Sequence, residues 1–420
     1  MIRRLRHGVI DLTPLRSSAP FRRLWVGTAF ASLGQQITVV AVLYQVWQIT
    51  HSAFWTGVIG LVNAVPMIVF GLLGGSLADA VDRRTLVRWT TVGQVVAVLA
   101  LAGQALAGLD NLALLFTLVA AQTTAAALGA PARRTFPARL LPRHKVAAGI
   151  ALQVITFQVA MLTGPALAGL VLGRWGLTAA YLVDAAALLV ALYGVLGLPA
   201  MPVAERLSRG GVRDIVEGLR LIRRRPAVQG SFLTDLLATV LAMPVALFPA
   251  VNEIRFGGDP ETLGLFLSAV AVGGVTASLA SGLVTRADRL GAVQLGAAAL
   301  WGVGIAGFGL AEPLWLALAG LVVAGAADSV AVTTRAAMVQ LATPDSHRGR
   351  VSSVEHVIGV AGPDLGNFRG GLVASWTSAP FALASGGLLC AAAVLLVAAT
   401  NRPLRAFRVS DPEREAVPAG

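Results

Sequence analysis

The chain has 420 residues, of which 56% are apolar and only 13% are charged, whereas about a quarter of the residues in a soluble domain are charged. Such a chain cannot cover a water-exposed surface, so most of it must be solvated by lipid. The 33 basic and 21 acidic residues give a net charge of +12, but they lie in short clusters between long uncharged runs, which favours a membrane protein with basic loops over a nucleic-acid-binding protein.

The first apolar run follows the Arg-rich residues 1–23. It exceeds 20 residues and has no A-x-A-like cleavage site, so we predict a retained first span and not a signal peptide. A helix needs about 20 apolar residues to cross the hydrocarbon core. Because the joins at 311–313 and 375–379 are short, ten or eleven spans is the main alternative to twelve. The twelve predicted spans are 24–47, 54–78, 86–108, 112–131, 147–172, 177–198, 227–251, 262–284, 292–311, 313–334, 352–374 and 379–399.

The basic residues predict the orientation of these spans. If the N-terminus is internal, thirty of the 33 Lys and Arg residues fall in internal segments, Arg174 and Arg255 are external, and Arg369 lies within a span. Basic residues concentrate on the cytoplasmic side of membrane proteins. We therefore predict a multi-pass protein of the cytoplasmic (inner) membrane, with both termini cytoplasmic.

The charge-rich segment 199–226 divides the chain into two sets of six spans. We predict an N-terminal bundle over 24–198 and a C-terminal bundle over 227–399, with cytoplasmic tails at 1–23 and 400–420. Within the central loop, apolar residues recur at helical spacing opposite charged ones over Gly211–Arg225. This pattern is typical of an amphipathic helix on the inner membrane surface, although a simple basic linker explains it as well.

Short patterns recur about 200 residues apart. Thr163–Leu167 in the fifth span matches Ala361–Leu365 in the eleventh, and Arg133 and Arg335 each precede a proline by nine residues. Because each half contributes an even number of spans, corresponding spans run in the same direction. We therefore predict an all-α membrane protein of two six-helix bundles, related by a pseudo-twofold axis normal to the membrane, as in alternating-access transporters.

With these features, the chain resembles the major facilitator superfamily over essentially its whole length. The loop after the second span resembles that family's signature G-x-L-x-D-x-x-G-[RK]-[RK], with Asp82 in place of the second Gly, which puts the usual tight turn in question. The matching residues are Gly75, Leu77, Asp79, Arg83 and Arg84. The resemblance implies a conformational gate at Gly75, Asp79, Arg83 and Arg84, which would link this loop to the other half of the protein. The alternative is that the arginines only set topology.

Two further motifs refine the resemblance. Gly164, Pro165 and Gly169 resemble the end of the antiporter motif G-P-x-x-G-G, with Ala168 in place of one Gly. Phe21–Trp25, Glu217–Arg220 and Gly349–Val351 resemble the subgroup that contains the enterobactin exporter and macrolide efflux proteins. The subgroup resemblance implies export.

Enzymatic chemistry has little support in the sequence. The sole lysine, Lys145, is not part of a phosphate-binding G-K-[ST] loop, and no G-x-S-x-G nucleophile pattern occurs. The five histidines are scattered, and no Cys or His pair has metal-ligand spacing. We therefore expect neither an enzyme, nor a cofactor, nor a metal site.

Acidic residues inside spans cost about 2.5–3.5 kcal/mol each at the helix centre, so each needs an explanation. The proton-coupling candidates are Asp235, Asp328, Asp364 and Asp184. The family resemblance places spans one, four, seven and ten around the cavity, which favours Asp235 and Asp328. The alternative is a structural role, in which Asp328 pairs with Arg335 and Asp364 with Arg369; we favour a structural role for Asp184 and Asp364.

Neutral polar side chains on the expected cavity spans are substrate-contact candidates: Gln35, Gln36, Gln122, Thr123 and Thr124. Their alternative role is hydrogen bonding between helices. The hypothesis with most support is a monomeric, proton-coupled exporter of drugs, macrolides, siderophores or similar small molecules, whose partners are substrate, protons and the lipid bilayer. The alternatives are an importer or lysophospholipid flippase of the same fold, or a non-transporting receptor or scaffold.

Overall fold

The computed structural model describes residues 11–78, 80–201, 212–280, 287–343 and 347–409. Within these ranges, every regular element is a helix. In the described residues, ten helical segments are long and apolar enough to cross a membrane. This matches the prediction of an all-α membrane protein.

The chain up to residue 196 folds into long helices with short joins. Asp82 and Asn111 cap α4 and α5 by accepting hydrogen bonds from the first-turn amides of Thr85 and Leu114. The helices are α1 (Thr13–Ser17), α2 (Ala19–Thr50), α3 (Ala53–Ala78), α4 (Arg83–Leu106), α5 (Leu112–Arg134), α6 (Phe136–Leu140) and α7 (Val146–Leu196), with a 3-10 turn at Arg143–Lys145.

The rest of the chain repeats this pattern of long helices. Ser378 caps α15 by accepting a hydrogen bond from the amide of Phe381. The helices are α8 (Val212–Arg223), α9 (Pro226–Ala242), α10 (Phe248–Phe256), α11 (Pro260–Leu279), α12 (Leu290–Leu310), α13 (Leu314–Ala342), α14 (Arg348–Trp376), α15 (Ala379–Thr400) and α16 (Arg402–Arg405), with a 3-10 turn at Val245–Leu247.

The described residues contain ten candidate spans where the sequence predicts twelve, and two features account for the difference. The segment Arg143–Leu196 counts once but contains two predicted spans, which are separated by Gly176 in a left-handed conformation with φ of 76°. Helix α14 is long enough to span but contains Glu355, Asp364 and Arg369, which lower its apolar character. In the described residues, every predicted run except the seventh therefore coincides mainly with continuous α-helix.

The predicted seventh span is not one continuous helix. Helix α9 ends at Ala242, Met243 is extended, and a 3-10 turn precedes α10. Pro244 lies at the break and has no backbone N–H to continue the helical hydrogen bonds. The proline was the available sequence signal for this break.

The described chain forms two compact units, and each contains a short segment from the other half of the sequence. The first unit comprises residues 1–50, 62–210 and 259–268, and the second comprises 51–61, 211–258 and 269–420. The start of α3 therefore packs with the C-terminal helices, and the start of α11 packs with the N-terminal ones.

The central loop is anchored at both described ends. Met201 is buried with Leu24, Phe136 and Val195 in a core cluster of the first unit. In the second unit, Ile222 of α8 is buried with Val354 and others, while Leu219 and Val216 remain exposed. The predicted amphipathic helix is therefore present, but one of its faces packs against α14 and α9.

Candidate functional site

A buried group of charges links three helices of the second unit. The Arg335 guanidinium, on α13, contacts the Asp235 carboxylate of α9 and lies 3.6 Å from the Glu355 carboxylate of α14. The Arg335 side chain is 8% exposed and that of Asp235 is 14% exposed. Asp328 lies close enough to Arg335 and Asp235 for their charges to act on its carboxyl group. We call these four residues the Arg335 cluster.

The geometry of α13 explains why Asp328 and Arg335 belong to one cluster. They are seven residues apart, about two helical turns, and so lie on the same face of α13. Asp328 is exposed, unlike Arg335. A carboxyl facing lipid is costly, so the exposure of Asp328 favours an aqueous environment for this face.

The Arg335 cluster has more acidic groups than basic ones. Three carboxyl groups lie around one guanidinium, so full ionisation leaves the cluster with a net negative charge. Removing one partner of a buried pair leaves an uncompensated charge. A proton on one of these carboxyl groups would reduce that excess of negative charge.

Of the two pairings predicted as structural alternatives, Asp328 lies within reach of the charge of Arg335, whereas Asp364 and Arg369 do not pair among the described residues. Arg335 pairs with Asp235 across helices, and Arg369 donates a hydrogen bond to the carbonyl of Leu241. Within the described residues, Asp364 forms no ion pair with Arg369. Asp364 is half-buried, and its backbone carbonyl faces Gly60 of α3.

In the first unit, Asp184 lies at a junction of three helices. Its Oδ2 accepts a hydrogen bond of 2.6 Å from Thr38 on α2 and one of 3.4 Å from Gln122 on α5. Thr123 donates to Asn63 on α3. Two of the five substrate-contact candidates therefore make hydrogen bonds between helices.

The remaining substrate-contact candidates differ in exposure. Gln35 is exposed, whereas Gln36 and Thr124 are half-buried. The Gln36 side chain lies against Gly164 of α7, where an added Cβ would come within 2.5 Å of the Gln36 Cβ. Of the candidates on α2, Gln35 is therefore the more accessible.

The loop after α3 is fastened to the end of α7. Met201 donates its backbone N–H to Asp82 at 2.7 Å, and Arg84 donates to the Leu196 carbonyl at 3.0 Å. Arg83 donates its side-chain Nε to the carbonyl of Ala78 and its backbone N–H to that of Met201, both at 3.4 Å. Asp82, the departure from the family pattern, thus caps α4 and anchors Met201.

The other two positions of the predicted gate are Asp79 and Gly75. Asp79 lies outside the described residues. Gly75 has open space where a Cβ would be, whereas its neighbour Gly74 packs closely against Leu128 of α5. The close approach between α3 and α5 therefore occurs at Gly74.

The antiporter-like motif packs on two sides. Gly164 faces Gln36 of α2, and an added Cβ on Gly169 would come within 2.9 Å of Glu261 at the start of α11. The carbonyl of Pro165 faces Gly264 of α11. In the second unit, Gly362 similarly faces Thr239 of α9, and Gly371 faces Gly57 of α3. The two Gly-Pro helices therefore make equivalent contacts.

Sequence reasoning named Asp235 and Asp328 but missed Glu355 as a member of the Arg335 cluster. Glu355 lies near the start of α14 among other polar residues, so nothing in the sequence distinguishes it from an ordinary polar helix end. Thr38, the closest partner of Asp184, was also missed, since a lone threonine in an apolar span carries no pattern of its own. The equivalent spacing of Arg133 and Arg335 before prolines was the available signal for Arg335.

Comparison with known proteins places this chain in a family. A family model described as transmembrane secretion effector (MFS_3) matches residues 10–416. The enterobactin exporter EntS of Escherichia coli (strain SMS-3-5 / SECEC) is 26% identical over 411 residues, which cover 97% of this chain and 98% of the exporter. The exporter of the same name from Shigella boydii serotype 18 is 26% identical over 408 residues, covering 96% and 97%.

Solved structures share the fold at low sequence identity. The nucleoside transporter NupG matches with a TM-score of 0.72 and 14% identity, covering 93% of this chain and 100% of NupG. A D-xylose-proton symporter matches with a TM-score of 0.65 and 15% identity, covering 93% and 98%. These structural matches confirm the twelve-helix fold, and the family model confirms the predicted superfamily resemblance. The chain belongs to the transmembrane secretion effector family of major facilitator superfamily transporters, which are secondary transporters and not enzymes.

Proposed function

We propose that this chain is a proton-coupled antiporter that exports hydrophobic or amphipathic small molecules across the cytoplasmic membrane by alternating access. The observation that carries the proposal is the Arg335 cluster, in which one buried cation faces Asp235 and Glu355 with Asp328 nearby. An excess of carboxyl groups at a membrane-spanning site gives protons a place to bind and leave.

Proton binding at this cluster would change which helix holds Arg335. While Asp235 is ionised, its contact holds α13 to α9. A proton on Asp235 removes that attraction, and Glu355, 3.6 Å away, then holds Arg335 to α14. Asp328, which is exposed, is the group that a proton from water reaches first. The cluster therefore converts proton binding into a change of helix contacts.

The energy available is adequate for export. A proton entering down a gradient of about 150 mV supplies about 3.5 kcal/mol, scaled from about 2.3 kcal/mol per 100 mV. Since about 1.4 kcal/mol is a tenfold ratio, this supports a concentration ratio of about 300-fold for a neutral solute. One titrating cluster is therefore sufficient to drive accumulation.

The substrate class is proposed from the relatives and from the polar side chains. The curated relatives are enterobactin exporters, which favours siderophores alongside drugs and macrolides. Gln35 is exposed on α2, and a polar amide facing lipid would be unfavourable, which supports contact between Gln35 and the substrate. Gln36, Gln122, Thr123 and Thr124 are proposed as the flanking polar groups.

The gate and the antiporter-like motif are proposed as moving parts. Arg83 and Arg84 donate hydrogen bonds within the first unit, which supports a role for them in stabilising this conformation. We propose that Gly75, Asp79, Arg83 and Arg84 form the conformational gate, and that Arg83 and Arg84 exchange these hydrogen-bond partners during transport. The helix with Gly164, Pro165 and Gly169 supplies the close crossings that must slide or separate.

The same proposal includes the organisation of the chain. Bundles over 24–198 and 227–399 would be joined by a cytoplasmic segment over 199–226, with cytoplasmic tails at 1–23 and 400–420. Parts of these tails and of the joining segment lie outside the described residues. The transporter would act as a monomer.

The test is transport into inverted membrane vesicles with an imposed pH gradient, acid inside, screened over lipophilic cations, macrolides and siderophores. We expect at least one compound to accumulate only while the gradient lasts. Asp235→Asn should abolish that dependence, whereas Asp110→Asn, at an exposed loop aspartate, should not change it.

Three outcomes would count against the proposal. Movement of every compound without regard to the gradient would exclude antiport. Accumulation driven in the opposite direction would favour an importer or flippase. Full pH-driven transport by Asp235→Asn would remove Asp235 from the coupling mechanism.

A further inference from the structure

Asp184 is a second buried carboxyl group, separate from the Arg335 cluster. It is 1% exposed and belongs to the first unit, whereas the Arg335 cluster belongs to the second. Its Oδ2 is shared by the Thr38 hydroxyl and the Gln122 amide, and its Oδ1 is buried without a hydrogen-bond partner. One oxygen is therefore fully engaged, and the other is not.

No cation compensates Asp184 among the described residues. The groups that face it are Thr38 and Gly34 on α2 and Gln122 on α5. The nearest titratable group on its own helix, Tyr181, donates its hydroxyl to Gln45 at 2.7 Å. An ionised carboxylate would therefore be buried in a membrane span with two neutral donors and no counter-charge.

The charged residues of the helices packed around Asp184 lie near the helix ends. These helices are α2, α4 and α5. On α2 and α5, each charged residue is at least eleven residues, or about 16 Å of helix, from Thr38 or Gln122. On α4, the charged residues all belong to the first two turns. They are Arg22 and Arg23 of α2, Arg83, Arg84 and Arg88 of α4, and Arg133 and Arg134 of α5. None of them forms an ion pair with Asp184.

The crossing at Asp184 is too close to admit water or a larger ligand. Gly34 lies directly against Oδ1, and a Cβ there would also come within 2.9 Å of the Ala187 Cβ. An isolated buried carboxylate becomes neutral when it cannot be solvated or paired. Since Oδ2 already accepts two hydrogen bonds, the free oxygen, Oδ1, is the site for the proton.

We propose that Asp184 is a second proton-binding site, which holds a proton on Oδ1 while α2 packs against α7 and releases it when that crossing opens to water. The step is a simple transfer, in which the carboxylic acid gives its proton to an entering water molecule and becomes a carboxylate. This inference stands on the geometry of the first unit and does not require the proposed function. If both hold, the transporter moves one more proton per cycle than the Arg335 cluster alone provides.

The direct test is infrared difference spectroscopy of the full-length protein in lipid vesicles at neutral pH. We expect a carbonyl stretching band of a protonated carboxylic acid that is lost in Asp184→Asn. Thr38→Val removes one hydrogen bond with little change of shape, so it should keep the band but shift its frequency. Asp110→Asn, at an exposed loop aspartate, should leave the band unchanged.

Each result either supports or overturns the inference. A wild-type spectrum identical to that of Asp184→Asn would overturn it. If Asp184→Asn does not fold, an unshifted band in Thr38→Val would overturn it instead. In transport assays, Asp184→Asn should lower the number of protons moved per substrate by one. A wild type that moves no protons would defeat the proposed function, while the infrared result would still decide the state of Asp184.

Discussion

Arg335 is the shared cation of two carboxyl groups, those of Asp235 and Glu355. It contacts Asp235 and lies 3.6 Å from Glu355, so its removal leaves both carboxyl groups without a cation. Removal of Asp235 is less severe, because Arg335 keeps Glu355 nearby. The two partners of one ion pair should therefore differ in their effect on stability.

We predict that Arg335→Met lowers the free energy of unfolding by about 3–5 kcal/mol, the range for removing one partner of a buried pair. Asp235→Asn should cost less. Cys390 is the sole cysteine and is fully buried, so its reaction with a thiol-reactive fluorophore during heating reports unfolding. Equal losses in the two variants, or a larger loss in Asp235→Asn, would contradict this account of the cluster.

Asp82 shows how a departure from the family pattern acquires a structural role. Burial alone would raise the pKa of its carboxyl, but hydrogen bonds from Thr85 and Met201 outweigh burial and hold the pKa below the ordinary value of 3.8. A depressed pKa means that the folded state favours the ionised form. The stabilisation by Asp82 is therefore complete above pH 3.8 and is lost as the pH falls below that value towards the folded-state pKa.

We predict that Asp82→Ala lowers the free energy of unfolding at neutral pH by about 1 kcal/mol for the lost cap, and by more where the Met201 anchor is also lost. The difference from wild type should shrink as the pH falls below 3.8, because the unfolded chain then binds a proton first and the folded carboxyl binds one as the pH reaches its lowered pKa. Thermal unfolding of both proteins across this pH range measures the effect, with Asp110→Ala as control. A difference that grows on acidification would refute it.

At the scale of helices, the two Gly-Pro helices make matching close crossings. Helix α7 faces the start of α11 at Gly169, and α14 faces the start of α3 at Gly371. Each crossing brings a segment from one half of the sequence into the compact unit of the other half. Alternating access requires such crossings to separate once in each cycle.

We predict that a larger side chain at one crossing impairs transport. An added Cβ on Gly371 would lie 2.9 Å from the Gly57 Cα, so Gly371→Ala must push α3 and α14 apart. The variant should transport more slowly and lose about 1–3 kcal/mol of unfolding free energy, the range for overpacking. Gly359→Ala, on the same helix with open space where the Cβ would be, serves as the control. Wild-type transport and stability in Gly371→Ala would contradict this account of the crossing.

The positions of the helices could be predicted from the sequence, whereas most contacts between helices could not. Helices solvated by lipid are recognisable in the sequence as long apolar runs, so every predicted span except the seventh coincides mainly with continuous α-helix in the described residues. Contacts between helices do not follow from composition. Glu355 and Thr38 joined their clusters through helix packing, and the face of α8 predicted to meet the membrane packs partly on α14. The break at Pro244 was predictable from the proline itself.

For the whole molecule, the surface matches the lipid environment that the composition predicts. Large apolar side chains are widely exposed, among them Leu279 at 83%, Leu106 at 78% and Trp376 at 76%. Exposed apolar area on this scale is unfavourable in water and favourable in a bilayer. The acidic residues Asp235, Asp328 and Asp184 inside the spans are therefore exceptions, and we propose that they bind protons.

The most direct test of that assignment is proton movement driven by substrate. Purified transporter in proteoliposomes with a pH dye inside is given substrate outside, with no gradient imposed. The account predicts that substrate entry makes the lumen alkaline, that Asp235→Asn abolishes this change, and that a protonophore dissipates it. Substrate entry at the wild-type rate with no change of lumenal pH would contradict the account.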